Sequence, residues 1–433
     1  MAKIKIRNIG PIVDVEMELN RVNVIMGPQS CGKSTIAKII SYFTWVEKDV
    51  ATSQSLENYQ KKNYFKEHLE TFHKLKGYFK KNSFISYKSD VIELTYDGEN
   101  FSISWVDRYA YERSKISYIP AERNLITLPE IEKVEFSHSN IRSFLFDWFD
   151  ARKNYLSDKK LSILNLGVDY YYNEESRENH IFRKGDNENY DILLSNASSG
   201  LQSITPLIVT IDYLTNWIYN QEEKISVIRK FKEQGTDHVL LIEKVLKPYF
   251  GDNIELTNGK INEYINTVNK NIDSRVDSNL TLLVDNYYNL KDNLFSTHNT
   301  QFIIEEPEQN LFPETQRDLI YYLLEKLQSE REHSLTITTH SPYILYALNN
   351  CMLGGLVYSQ LDGTEKEKYL SNYFKSNKSW INPRFVSVWE IENGLIRRIQ
   401  DKDNIISKNY FDIKMTELTN EYYQILNYYQ NEE

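Results

Sequence analysis

Two cysteines in 433 residues, Cys31 and Cys351, are too few for a disulfide framework and suit a reducing compartment. No apolar run reaches the ~18 residues that a membrane-spanning helix needs. Even LIVTIDYLTNWIY is interrupted by Asp212. The opening MAKIKIRNIGPI carries charge but no apolar core of signal-peptide length. The expectation is a cytoplasmic protein with no membrane attachment. Positive charge is also short. Lys and Arg number 51 against 61 Asp and Glu, a net charge of −10, which argues against a surface built for nucleic acid but leaves room for a local basic patch. Internal repeats and low-complexity tracts are lacking. Tyrosine is plentiful, at 32 residues, and reads as compositional bias. The length suggests two or three structural units, and 41% hydrophobic residues suffice for a sizeable core.

Alternating charged and apolar residues predict strands at KIKIRNI and VDVEMEL, separated by a Gly10-Pro11 turn, and RVNVIM predicts a third. STIAKIISYFTWV follows with helical periodicity. Residues 57–81 read as helical and basic. Within 61–81, seven lysines less two glutamates give a local charge of +5, with Tyr64, Phe65, Tyr78 and Phe79 interleaved. That mixture suits a nucleic-acid backbone, although a solvated amphipathic helix is the preferred reading. FISYK, VIELTYD, FSISWVD and ISYIP read as strands, 138–160 as helix and 162–193 as strands again. NASSGLQSITPLIVTIDYLTNWIYNQ is a small-residue loop feeding a helix, with Pro206 expected near its start. Residues 221–300 read as a helical insertion. Then come the strand FIIEE, a helix at 314–329, the strand SLTITT, a helix from Ser341, two further strands and an acidic-polar helix. The expected division is 1–130, an N-terminal lobe; 131–220, a helical and β segment; the insertion; and 301–433, a C-terminal lobe.

GPQSCGKST, from Gly27 to Thr35, fits the P-loop pattern G-x-x-x-x-G-K-[ST], between a strand and a helix as that pattern requires. Gly27, Pro28, Gln29, Ser30, Cys31 and Gly32 form the loop whose amides surround phosphates. Lys33 supplies a point charge, and Ser34, next to Thr35, offers a hydroxyl to Mg²⁺. Cys31 reads as a small filler. FIIEEPEQNLFP runs a buried strand into three glutamates, a crowding that a cation or a proton transfer explains. Glu305 takes the metal side and Glu306 the water side, while Glu308 has no assigned role. His340 ends the next strand, where it can hydrogen-bond a γ-phosphate or an attacking water. Ser198, Ser199 and Gly200 open a helix that either binds an anion or is simply N-capped.

This order of parts resembles the ABC-type ATPases of the SMC/RecF/OLD class. YIPAERN, ASSGLQS, IIEEPEQNLFPETQ and THSPYILYALNN look more particularly like bacterial antiphage ATPases of the PARIS or Septu type. The match lies in about 1–125, 190–220 and 300–350. The resemblance implies an α/β ABC-type P-loop NTPase head with a mixed central sheet, an N-terminal antiparallel β section and a helical insertion. It implies ATP and Mg²⁺ as cofactors, and a homodimer or higher homo-oligomer. ATP would lie between Gly27–Thr35 of one subunit and Ser198, Ser199 and Gly200 of the other, with Asn310 and Leu311 in the crossing loop. Glu306 would polarise water and His340 would sense the γ-phosphate. The implied output is a sensor or scaffold switch governing a separate effector, a nuclease, in antiphage defence. DNA repair or chromosome maintenance is the alternative, and a transporter subunit is third. Three residues depart from the family pattern. Glu305 replaces the usual Asp, Gln202 lies one place beyond the usual Gln, and PAER stands where a Gln is expected, which makes Glu122 or Arg123 a candidate for metal or phosphate. Without ATP and metal, the acidic strand end is expected to be strained or mobile.

Overall fold

The computed structural model describes residues 2–134, 140–185, 189–220, 293–294, 296–361, 363, 365, 368 and 373–430. Most of the expected insertion, 221–292, lies outside these residues. The fold is mixed α/β. An 11-stranded sheet runs in the order β6-β5-β4-β1-β2-β15-β14-β3-β13-β12-β7, and a separate four-stranded sheet runs β11-β10-β9-β8.

One half of the large sheet is antiparallel: β1 (Lys3–Ile9), β2 (Ile12–Glu18), β4 (Phe79–Lys88), β5 (Ile92–Tyr96) and β6 (Phe101–Trp105). The other half is parallel: β7 (Ser114–Ile119), β12 (Asn299–Glu305), β13 (Ser334–Thr339), β3 (Val22–Met26) and β14 (Val386–Glu392). The hairpin strand β15 (Leu395–Arg398) joins the halves, antiparallel to β14 and parallel to β2. All five residues of β3 are buried, as a strand covered on both faces must be. Val22, Val24 and Met26 face one core and Ile25 faces the other.

Helix α1 (Lys33–Ser53) and α2 (Tyr64–Phe72) cover the face of Ile25. The opposite face meets α3 (Asn140–Arg152), α4 (Ser199–Asp212), α5 (Pro313–Leu327) and α6 (Pro342–Gln360), together with the small sheet of β8 (Leu161–Ser162), β9 (Asp169–Asn173), β10 (Glu178–Arg183) and β11 (Tyr190–Leu193). Helix α7 (Tyr410–Gln430) ends the described chain.

Three expectations change. The basic helix at 57–81 reduces to a short turn and α2, and Phe79 already begins β4. Phe65 is buried against Phe101, and Tyr64 packs on Tyr59 and His68, so these rings belong to the core rather than to a surface for stacking bases. Pro206 lies inside α4, which starts at Ser199, so proline interrupts the helix ladder instead of opening it. The helix expected over 138–160 spans Asn140–Arg152, and beyond it the Tyr155 carbonyl accepts from the Tyr172 amide of β9 at 2.7 Å. Strand β14, far along the chain, lies directly beside β3.

Candidate nucleotide site

Pairing register builds the site. Thr338 of β13 lies opposite Glu305 of β12, and Thr339 opposite Met26 of β3. Three adjacent parallel strands therefore end on one edge, delivering Glu306, His340 and Gly27 to the same place. The carboxyl ends of parallel strands are where α/β sheets hold ligands.

Two glycines permit the loop after β3. Gly27 has φ of +152°, and a Cβ there would sit 2.1 Å from the Ile391 carbonyl oxygen of β14. Gly32, with φ of +112°, is the left-handed N-cap of α1. Lys33 opens α1 and is buried. Its ammonium donates to the carbonyls of Gly27 at 2.9 Å and Pro28 at 2.7 Å, and stands 3.3 Å from His340 Nδ1. Burial pulls the Lys33 pKa down, while Cys31, Glu306 and Glu308 pull it up. Cys31 is itself buried, its sulfur 3.7 Å from the Lys33 ammonium, which agrees with a filler. Gln29 and Ser30 are exposed, and Ser30 takes φ of +59°. Ser34 is half-buried and Thr35 buried in the first turn of α1.

The two adjacent acids diverge, which relieves their crowding. Glu305 is buried and accepts a hydrogen bond from the Tyr118 hydroxyl of β7. Burial holds its pKa above the usual carboxylate value. Glu306 turns out of the strand with φ of +44°, a left-handed conformation costly for a non-glycine residue. Its Oε1 lies 3.1 Å from His340 Nε2, and that contact first, with Lys33 and Arg123 adding their charge, holds its pKa below the usual value. Lys33, His340 and Glu306 thus form one continuous polar chain. Ser341 is the N-cap of α6, and the His340 ring before it faces Glu306.

Two residues hold this arrangement. Glu308 was expected to lack a role and to face solvent or a partner; instead its Oε1 accepts from the Thr339 hydroxyl at 2.8 Å and from the His340 amide at 2.6 Å. Arg123, a candidate for metal or phosphate, is fully buried, and its guanidinium is spent on main-chain carbonyls: Ser203 of α4 at 3.2 Å, Glu305 at 3.0 Å, Glu306 at 2.9 Å and Pro307 at 3.2 Å. Burial lowers its pKa to about 10. The acidic strand end is therefore strained at Glu306 and clamped by Arg123. Glu122, beside it, is exposed.

No family model and no curated protein matches the chain. Solved structures with a distant likeness include the "SMC head domain from Thermotoga maritima", at 10% identity and TM-score 0.36, covering 92% of this chain and 98% of that one. Two more are the recombination mediator RecF with ATPrS (11%, TM-score 0.28, 92% and 97%) and the dimeric ABC transporter cassette MJ0796 (11%, TM-score 0.28, 92% and 99%). Likenesses of this size do not assign a function.

Ser198, Ser199 and Gly200 are not joined to the P-loop by any described hydrogen bond. Ser198 caps α4 by accepting from the Leu201 amide at 3.4 Å, and both serines are exposed. A Cβ on Gly200 would lie 3.0 Å from the Asn310 carbonyl oxygen, so the helix start abuts the loop after the acids. Gln202 donates back to the carbonyls of Ser195 and Ala197, closing the turn that leads into α4. Asn310 is exposed with φ of +60°, and Leu311 packs on the core.

The chemistry of the donor set suits Mg²⁺. Ser34 and Glu305 offer oxygen only, and no cluster of three or more His, Cys, Asp or Glu able to hold a metal exists among the described residues. Mg²⁺ is usually held by few protein oxygens together with substrate phosphates. No helix among the described residues is long and apolar enough to cross a membrane.

Proposed function

We propose that this chain binds and hydrolyses ATP, closes as a dimer around it, and acts as a sensor or scaffold switch for a separate effector, a nuclease, in antiphage defence. One observation carries the nucleotide reading: Lys33, His340 and Glu306 meet as a hydrogen-bonded chain at the common edge of β3, β13 and β12. Loop amides from Gln29 to Lys33 receive phosphates, and the Lys33 ammonium exchanges its loop carbonyls for phosphate oxygen. Glu306, ionised and held by His340, orients water and accepts its proton. His340, between Glu306 and Lys33, donates toward the γ-phosphate and links its presence to the base. Ser34 and Glu305 hold Mg²⁺, which supplies positive charge against the phosphates when bound.

The dimer reading rests on the exposed Ser198 and Ser199 at the start of α4. No described hydrogen bond joins them to their own P-loop, and their exposure lets them meet the phosphates of a second subunit. ATP touched by both subunits binds the closed state more tightly, and hydrolysis removes that preference. The role in defence rests on the resemblance of the motifs alone.

Glu306→Gln should retain ATP and accumulate the associated form in sedimentation, while Lys33→Ala should lose ATP binding. A Glu306→Gln protein no more associated with ATP than wild type would refute the switch. A DNA-maintenance role is the second reading. It draws on the exposed lysines Lys61, Lys62, Lys74, Lys76, Lys80 and Lys81.

A further inference from the structure

Helix α7 was expected to be acidic and polar, but it carries an apolar seam. Its root is fixed. Asn409 accepts from the Phe411 amide at 3.0 Å, Asp412 accepts from the Asn409 amide at 3.0 Å, and the Tyr346 hydroxyl of α6 donates to Asp412 at 2.9 Å. The Tyr410 amide donates to Glu390 of β14, and Tyr410 and Phe411 pack on the core. Beyond this root the helix leaves the body of the protein. Met415, Leu418, Tyr422, Ile425 and Tyr429 are 62–74% exposed.

These five residues, continuing from Phe411, are spaced alternately three and four apart without a break. That is the 3.5-residue period of helices wound around one another, and the exposed Tyr423 and Tyr428 flank it. The helix is anchored, so the seam is presented from a fixed post.

We propose that α7 is a self-association element, its Met415–Tyr429 seam pairing in parallel and in register with the same helix of a second copy. The seam is complementary to itself, because Leu418 and Ile425 occupy the d positions and Met415, Tyr422 and Tyr429 the a positions. Charge selects the orientation. In parallel pairing, the flanking Lys414 meets Thr419 and Glu421 meets Leu426, so no acid faces an acid. Antiparallel pairing that sets Leu418 against Tyr422 would bring Glu421 beside its own copy. Two tyrosines with about 150–250 Å² each to bury, plus three aliphatic side chains, make a seam below the about 800 Å² per partner of a standard interface. The association is accordingly weak by itself and concentration-dependent.

The test uses the full chain carrying Lys33→Ala, without nucleotide, so that any ATP-driven closure is absent and the two readings fail separately. In sedimentation at tens of micromolar, this protein should form dimers. Adding Leu418→Glu and Ile425→Glu should weaken that association by about tenfold or more. Glutamate favours helix, and both sites are exposed, so circular dichroism and melting should be unchanged. Leu418→Cys should give a disulfide-linked dimer under mild oxidation, and Glu417→Cys, on the outer face, should not. The two native cysteines are buried and do not interfere. A strictly monomeric Lys33→Ala protein, or equal cross-linking of the two cysteine variants, would overturn the proposal and leave α7 a post for a different protein.

Discussion

The polar chain from Lys33 through His340 to Glu306 depends on a residue that touches neither end. Glu308 gathers the Thr339 hydroxyl and the His340 amide on one oxygen. It thereby fixes where β13 stops and how the imidazole is aimed. Burial raises the pKa of Glu308, so its position costs free energy that the two donors offset. Glu308→Ala should lower kcat for ATP by about 10- to 100-fold, the order expected when a reacting group is displaced by about an ångström. ATP affinity should change little, because Lys33 and the loop amides remain. Steady-state kinetics beside equilibrium nucleotide binding would separate the two effects. The turn from β3 into α1 over Gly27–Thr35 was legible because its parts are local: the loop, the lysine and the helix start are consecutive. Glu308 was illegible because its partners lie 31 and 32 residues away and meet it only through strand pairing.

Among the elements, Arg123 is the tie. Its donors join the turn after β7 to the end of β12 and to α4, so the acid-bearing strand and the helix opened by Ser198 share one buried guanidinium. Arg123→Met keeps much of the volume and removes every donor. Its four carbonyl acceptors would lose that donor, the Glu306 carbonyl keeping the Gln309 amide, and unfolding in urea should show a loss of roughly 3 kcal/mol or more, at about 1–3 kcal/mol per buried unsatisfied group. Parts of the element pattern were readable. Period-two alternation gave β1, β2, β5 and β6, and apolar periodicity gave α1. The stretch 57–81 misled because lysines and aromatics at mixed spacing fit a helix, whereas Phe79 pairs with Ile9 of β1. That pairing is a tertiary fact which local pattern does not contain. The seam on α7 was missed for a related reason: four charged side chains within Tyr410–Gln430 mask the spacing of the apolar ones.

For the whole molecule, buried histidines set an acid limit. His73 lies 1% exposed with both ring nitrogens unpartnered, and burial pushes its pKa down to about 3. His333 is fully buried and accepts from the Thr300 amide; burial, aided by Arg21 and Arg331, pushes it down to about 4. Both are depressed from an ordinary value of 6.5. The unfolded chain therefore binds these protons first. The stability they confer is complete above pH 6.5 and is lost progressively as pH falls toward those lowered values. Each contributes a slope of up to about 1.4 kcal/mol per pH unit. Glu47 and Asp147, whose pKa values burial raises, pull the other way, so the clean readout is a difference between proteins. His73→Phe should lose less stability than wild type when denaturant unfolding is repeated from pH 7 down to pH 5. Equal losses would mean that His73 gains no proton on unfolding.

The contact between Gly27 and Ile391 also has a consequence for synthesis. The P-loop strand is made long before the wall against which its glycine rests, which arrives only with β14. Between them the ribosome must deliver β12 and β13, which bring Glu306 and His340. A nascent chain holding residues 1–130 has the full GPQSCGKST motif but neither the neighbouring strands nor the backbone that shapes it. The proposed nucleotide capture would thus be deferred until the late strands have joined the sheet, and a prematurely terminated chain would carry the motif without the strands around it.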